Sequence, residues 1–254
     1  MTQTTRGQTS PEVKALIRAA KKLSAAVNRL TFADPVTNVY NPLEYAWASH
    51  ESFLKKCSGA ATRVLFLGMN PGPWGMAQTG VPFGEVGIVR DWMGIHTAVK
   101  HPENEHPKRI IEGFACRRSE VSGARLWGLF RDRFKTPELF FASHFVANYC
   151  PLVFMESSAR NRTPDKLTAT ECERLGEACD DHLRSVFQTL RPEFVVGVGA
   201  YAEKCLLRVV ATLPELTAKT HVTRILHPSP ASPLANKDWP GTATRQLVEA
   251  GVWV

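Results

Sequence analysis

The chain has 254 residues, 44% of them hydrophobic and 22% charged, with 17 glycines and 17 prolines. That apolar share is too high for a disordered chain, and Gly and Pro are too sparse for a linker or a collagen-like polymer. The net charge of +7 is unevenly placed: residues 1–30 hold six basic side chains against Glu12 alone, residues 100–135 hold nine against five acids, and the remainder is slightly acidic. Such a polarised surplus permits a polyanionic partner, although solvated faces would account for the same numbers.

Ser10-Pro11-Glu12 reads as a helix start, with a cap residue before an N1 proline. Val13, Leu16, Ile17, Ala20, Leu23, Val27 and Leu30 then recur at helical spacing, with Lys14, Arg18, Lys21 and Lys22 opposite. An amphipathic helix over 10–30, laid on a core, is expected. Pro35, Asn41-Pro42 and Gly59 break up 31–62, where Leu43, Trp47 and Phe53-Leu54 support a short helix. Four short apolar runs follow: 64–67, 145–147, 194–198 and 222–226. Helical patterns over 172–190, 200–212 and 235–250 separate or follow the later runs. Fully apolar strands alternating with helices predict a mainly parallel sheet covered on both faces, a three-layer α/β/α architecture. No linker or internal repeat divides the chain, so one domain over 1–254 is expected.

The six cysteines show no C-x-x-C spacing, and Cys172 and Cys179 fall on the apolar side of a predicted helix. Thiolate metal sites need clustered ligands, so no metal is expected. The segment MTQTTRGQTSPEVK lacks an apolar core and a cleavage site. Unpatterned thiols fit a reducing compartment, and an intracellular protein without membrane attachment is the reading.

In open parallel sheets the ligand crevice lies beyond the carboxyl ends of the strands. The segments leaving those ends are Gly68–Pro73, Asn148–Pro151, Gly199-Ala200 and His227–Pro230. The loop GMNPGPWGMAQTGVPFGEVG (68–87) holds six glycines and three prolines. A plain strand–helix connection needs only a few residues, so this length points to a binding loop. It lacks the Gly-Lys-Ser/Thr ending of a phosphate loop. Asn70 and Asn148 each follow or end a strand, where a turn-forming role is the plain alternative. Phe83, between Pro82 and Gly84, is placed to lie against a planar ligand or in the core. His227 precedes Pro-Ser-Pro, which continues neither strand nor helix and so holds the ring at a rigid strand exit.

The 68–87 loop, Val146–Pro151, and His227–Pro230 through Ala235-Asn236-Lys237 together resemble the uracil-DNA glycosylases, most closely the single-strand-selective monofunctional family. Ser119–Arg125 and Asn161–Pro164 are also similar to that family, and the resemblance covers nearly everything after the first helix.

The resemblance implies hydrolysis of the bond between uracil and deoxyribose in single- and double-stranded DNA, leaving an abasic site without strand cleavage. It implies 5-substituted uracils such as 5-hydroxymethyluracil as further substrates, no cofactor, and a monomer working with the DNA in a nucleus or a bacterial cytoplasm. Such enzymes act on single strands or turn the nucleotide out of the stack. Asn148 would donate to uracil O4 and accept from N3–H, while cytosine reverses both groups. Phe83 would stack on the ring, and Met69, Gly72 and Met76 would line its remaining edge. His227 would steady the departing uracil anion, and Asn70 would hold the attacking water. Arg160, Asn161, Arg162 and Lys166 are similar to the family's DNA-contacting segment, as are Pro228, Ser229, Pro230, Ala231 and Ser232.

Two positions depart from the family pattern. Ala231 stands where arginine usually fills the gap left by the flipped base, which implies weaker action on paired duplex unless Leu234 substitutes. Trp74 replaces a usual phenylalanine. Alternative readings are a glycosylase for hypoxanthine or xanthine, a nucleotide enzyme using 194–199 as a phosphate turn, and a non-catalytic damage-binding module. The turn lacks the third glycine of a dinucleotide fingerprint.

Overall fold

The computed structural model describes residues 9–254. Residues 1–8, which include Arg6 and the start of the segment read as lacking a leader, lie outside the described residues.

Helix α1 spans Pro11–Val27, and its Ser10 Oγ accepts a hydrogen bond from Val13 N at 3.2 Å. Val13, Leu16, Ala20, Leu23 and Val27 are buried, as the spacing predicts, whereas Ile17 and Leu30 are only partly covered. Strand β1 (Val36–Tyr40) leads into two short helices, α2 (Pro42–Tyr45) and α3 (Trp47–Leu54). Strand β2 (Val64–Gly68) enters the long loop, inside which Met76–Thr79 forms the single turn α4. Helices α5 (Val121–Phe134) and α6 (Pro137–Phe141) precede β3 (His144–Asn148), β4 (Val153–Glu156) and the two-residue β5 (Asn161–Arg162). The rest alternates: α7 (Ala169–Leu190), β6 (Phe194–Val198), α8 (Ala200–Val210), α9 (Pro214–Thr217), β7 (His221–Ile225) and α10 (Pro233–Glu249). Helix α10 breaks at Asp238, two residues before Pro240, because a proline removes one helical donor and crowds the preceding turn.

The expected parallel sheet is present, with order β3-β2-β6-β7 and every pair parallel. Strands β2, β3 and β6 are buried along their whole length, which explains why they are apolar apart from His144 and Asn148 at the two ends of β3. Edge strand β7 exposes His221 and Arg224 instead. The sequence did not announce the second sheet, an antiparallel trio in the order β1-β4-β5. Its members are short, and Asn161-Arg162 carries no apolar alternation to read.

From β2 the chain moves to β3 on one side, then crosses to β6 on the other. The loops leaving β2 and β6 therefore diverge, and such a reversal of strand order opens a crevice at the carboxyl ends. In-register pairing sets Gly68 opposite Asn148. The second sheet places Asn161 near the same end through its pairing with Met155.

Candidate active site

A crevice of about 340 Å³ lies at that end of the sheet, toward the lower end of the usual range for small-molecule sites. Its walls include Met69, Asn70, Gly72, Phe83, Asn161, His227, Ser229 and Pro230. Asn148 and Met76 instead line a separate apolar cavity of about 40 Å³. The two spaces approach each other at Gly68, where a Cβ would collide with both the Phe83 ring and Asn148 Oδ1. Only a residue without a side chain lets the ring and the amide meet over the strand end.

Asn148 ends β3 and is 8% exposed. Its Nδ2 donates to Met76 Sδ at 3.3 Å, and its buried Oδ1 has no partner among the described residues. A thioether sulfur accepts but cannot donate, so it must face the nitrogen of the amide. The oxygen is thereby turned toward Gly68 and Phe83. A buried polar atom left unpaired in a native fold calls for a physical explanation.

Phe83 is half-buried and holds φ +55°, a conformation that costs a bulky residue about 1–3 kcal/mol and persists only where its surroundings enforce it. Its carbonyl accepts from Glu85 N at 2.8 Å, and it packs so closely on α5 that a Cβ at Gly123 would strike it. The ring stands 6.4 Å from the His227 imidazole, centroid to centroid. His227 leaves β7 against Gly199, whose φ of +95° and missing side chain admit its Cβ. This close approach is what Gly199 serves, so the turn at 194–199 positions the imidazole. Burial lowers the His227 pKa below that of an ordinary imidazole, and no charged neighbour opposes it.

Asn70 Nδ2 donates to Leu152 O at 3.2 Å, which holds the side chain at the crevice with its Oδ1 free of protein partners among the described residues. Met69 O is occupied by Cys150 N at 2.9 Å, tying the β2 and β3 exits together.

Two residues acquire roles here that the sequence reading had not given them. Glu120 stands at the N-cap of α5 but makes no side-chain capping bond. Its carboxylate turns into the crevice wall and accepts from Trp74 N at 3.3 Å. A Cβ at Gly72 would collide with that carboxylate, and one at Gly75 would come within 2.9 Å of Glu120 Cγ. Burial pushes its pKa up. Arg125 donates from Nη1 to Pro228 O at 3.1 Å and from Nη2 to Asn236 Oδ1 at 2.9 Å, while Asn236 Nδ2 donates to Pro230 O at 2.8 Å. The turn after His227 is thus braced from α5 and α10. An acid before a helix reads as a cap, and only tertiary contact shows otherwise.

The remaining predicted contacts separate into free and occupied groups. Arg160 and Lys166 are exposed. Arg162 is committed internally, to Glu156 at 3.1 Å and to Lys166 O. Asn161 Oδ1 is a second buried acceptor without a partner among the described residues. Pro228 is buried, Pro230 and Ala231 are exposed, and Ser232 Oγ caps α10 by accepting from Ala235 N at 3.3 Å. Among the described residues, no three His, Cys, Asp or Glu side chains converge as a metal site, and no helix is long and apolar enough to cross a membrane.

Residues 55–247 match the family model described as the uracil DNA glycosylase superfamily. The chain belongs to that superfamily. Within it, the chain is 48% identical over 231 residues to the single-strand selective monofunctional uracil-DNA glycosylase of Rattus norvegicus, covering 91% of this chain and 82% of that one. The Bos taurus protein of the same name is 49% identical over 232 residues, covering 91% and 84%. Among solved structures, Pedobacter heparinus SMUG2 superposes with a TM-score of 0.62 over 92% of this chain and 97% of that one. At 17% identity that likeness concerns the fold, an α/β superfamily architecture around a parallel sheet.

Proposed function

We propose that this superfamily member is a monofunctional DNA glycosylase that excises uracil, and 5-substituted uracils, as the first step of base-excision repair. The observation that carries this reading is the unpartnered Asn148 Oδ1 beside the Phe83 ring. It is an acceptor waiting for a planar ligand's N–H. Uracil supplies that donor at N3, and the second Nδ2 hydrogen of Asn148 reaches O4. Cytosine presents an acceptor at N3 and a donor at the 4-position, leaving buried atoms unpaired at about 1–3 kcal/mol each. Stacking on Phe83 adds about 1–3 kcal/mol and admits any pyrimidine, so discrimination rests with the amide.

Cleavage builds positive charge on the deoxyribose and negative charge on the departing uracil. His227 faces this anion as a neutral N–H donor, because burial keeps the ring uncharged near neutral pH. Removing one such preorganised donor costs about 10²–10³ in rate. Asn70 orients water through Oδ1, while Leu152 O fixes its nitrogen. An amide takes no proton, and an oxocarbenium ion asks only for a weak nucleophile. Met69 and Gly72 bound the base from the loop. Arg160, Asn161, Lys166, Ser229 and Pro230 face the strand around it, with Arg162 bracing the segment. The chain works as a single unit, as a monomer, without metal or cofactor, inside the cell.

The test is a single-stranded oligonucleotide carrying one uracil, incubated with the protein in EDTA. Alkali-labile abasic sites are expected, with no breaks before alkali. His227→Leu and Asn70→Ala are each expected to lose at least about 10²-fold in rate while still binding the strand. Full rate in both would reject the assigned roles.

A further inference from the structure

Resting on the nucleic-acid reading above, we infer that Arg118, Trp74, Arg109 and Arg160 form a basic edge along one side of the crevice that carries the backbone phosphates flanking the extruded nucleotide. Trp74 follows Pro73 in the crevice wall, and its backbone N–H is held by Glu120, itself part of that wall. Two guanidinium groups lie over the Trp74 ring, Arg118 at 4.4 Å and Arg109 at 4.8 Å from its centroid. Arg109 Nε also donates to Ala159 O at 3.1 Å. That bond joins the arginine–tryptophan stack to the segment whose Asn161 and Thr163 reach the crevice and whose Arg160 is exposed.

Two like charges gathered on one ring repel each other, and the ring's negative face offsets only part of that cost. Elsewhere on the surface, arginines such as Arg63, Arg208 and Arg224 pair with Glu193, Asp180 and Glu203. Among the described residues, Arg118, Arg109 and Arg160 have no carboxylate within salt-bridge distance. Stacking fixes the planar groups; the Arg118 N–H edge makes no side-chain hydrogen bond among the described residues and Arg109 keeps its Nη groups after its Nε bond to Ala159 O, donors suited to phosphate oxygens. Lys108 and Arg117, both exposed neighbours, add to the same field. The occupant is a single DNA strand, because the edge runs beside an opening sized for one nucleotide and carries charge without a base-reading pattern.

The measurement is fluorescence anisotropy with a single strand containing 2′-fluorinated deoxyuridine, which resists hydrolysis, and with a strand lacking uracil, across a KCl series. Arg118→Gln is expected to weaken both strands several-fold at low salt. It should also reduce the slope of log K against log salt by about 0.7, one phosphate on a single strand. Lys219→Gln removes the same charge near the opposite ends of the strands, where Lys219 is exposed, and is expected to leave the slope unchanged. An unchanged slope in Arg118→Gln, or a loss confined to the uracil-containing strand, overturns the phosphate edge. If wild-type chain still releases uracil in that case, the glycosylase reading stands alone. Conversely, a normal slope loss with no uracil release by the wild type keeps the edge and removes that reading.

Discussion

The Met76 thioether decides which way the Asn148 amide points. Sulfur is a weak acceptor, yet among the described residues it is the single partner of that side chain, so its removal frees the amide to rotate by half a turn. Met76→Leu keeps the volume and most of the packing. Hydrogen bonds of this class contribute about 0.5–1.5 kcal/mol. The ratio of affinities for free uracil over free cytosine is therefore expected to fall by about 3–10-fold in this variant. Loss of packing alone would weaken both bases equally and leave the ratio untouched, so the ratio, measured by calorimetry or competition, separates the two. The sequence singled out Asn70, Asn148 and His227 as candidates because each lies at or just past an apolar run, Asn70 and His227 directly before a proline. It could not show Met76 acting on Asn148, since 72 residues separate the pair and only the turn α4 brings them together.

At the scale of elements, strand exits were legible and braces were not. The four apolar runs became β2, β3, β6 and β7 within a residue or two; β2, β3 and β6 are buried throughout, so their runs stay apolar nearly end to end, whereas edge strand β7 exposes His221 and Arg224. Helix α5 went unread. Half-buried Arg125 precedes buried Leu126, Trp127 and Phe130, and exposed Arg131 and Arg133 follow them, a pattern easily taken for a basic surface run. Its contribution, Glu120 on the loop and Arg125 on the turn, is tertiary throughout. The entry to α10 carries its own expectation. Ala231 is exposed at the tip of the turn, with its N–H on Ser229 Oγ at 3.2 Å, and a methyl group cannot occupy the space vacated by a base. Leu234, 63% exposed one turn further on, is a large apolar side chain at the same helix entry. Ala231→Arg is expected to raise uracil release from paired duplex relative to single strand, because extrusion from a duplex costs a few kcal/mol that a plug partly recovers. An unchanged ratio in matched duplex and single-strand assays would show that Leu234 already serves.

Over the whole molecule, buried imidazoles set the acid limit of stability. Burial lowers the pKa of both His50 and His144 to about 4, with nearby Arg63 and Arg133 adding to the effect on His144. Each ring is hydrogen-bonded in place: His50 Nδ1 lies 2.8 Å from Gly80 O, and His144 Nε2 accepts from Trp253 Nε1 at 3.1 Å. In the unfolded chain both titrate near 6.5. Below that value the unfolded state binds protons that the native state does not, so stability is complete above pH 6.5 and declines as pH falls toward about 4. A thermal or urea midpoint is expected to drop between pH 7 and pH 5. A midpoint flat across that interval would show that neither histidine is neutral by constraint.

The brace formed by Arg125 and Asn236 on the His227–Pro230 turn has a thermodynamic consequence. Three backbone carbonyls, those of Pro228, Ser229 and Pro230, are already engaged without any ligand, so this part of the protein surrenders little freedom when it docks. Preorganisation of that kind lowers the entropy lost by the receptor. The mould is set before the casting arrives, and it is the nucleic acid that must bend, unstack and turn to fill it.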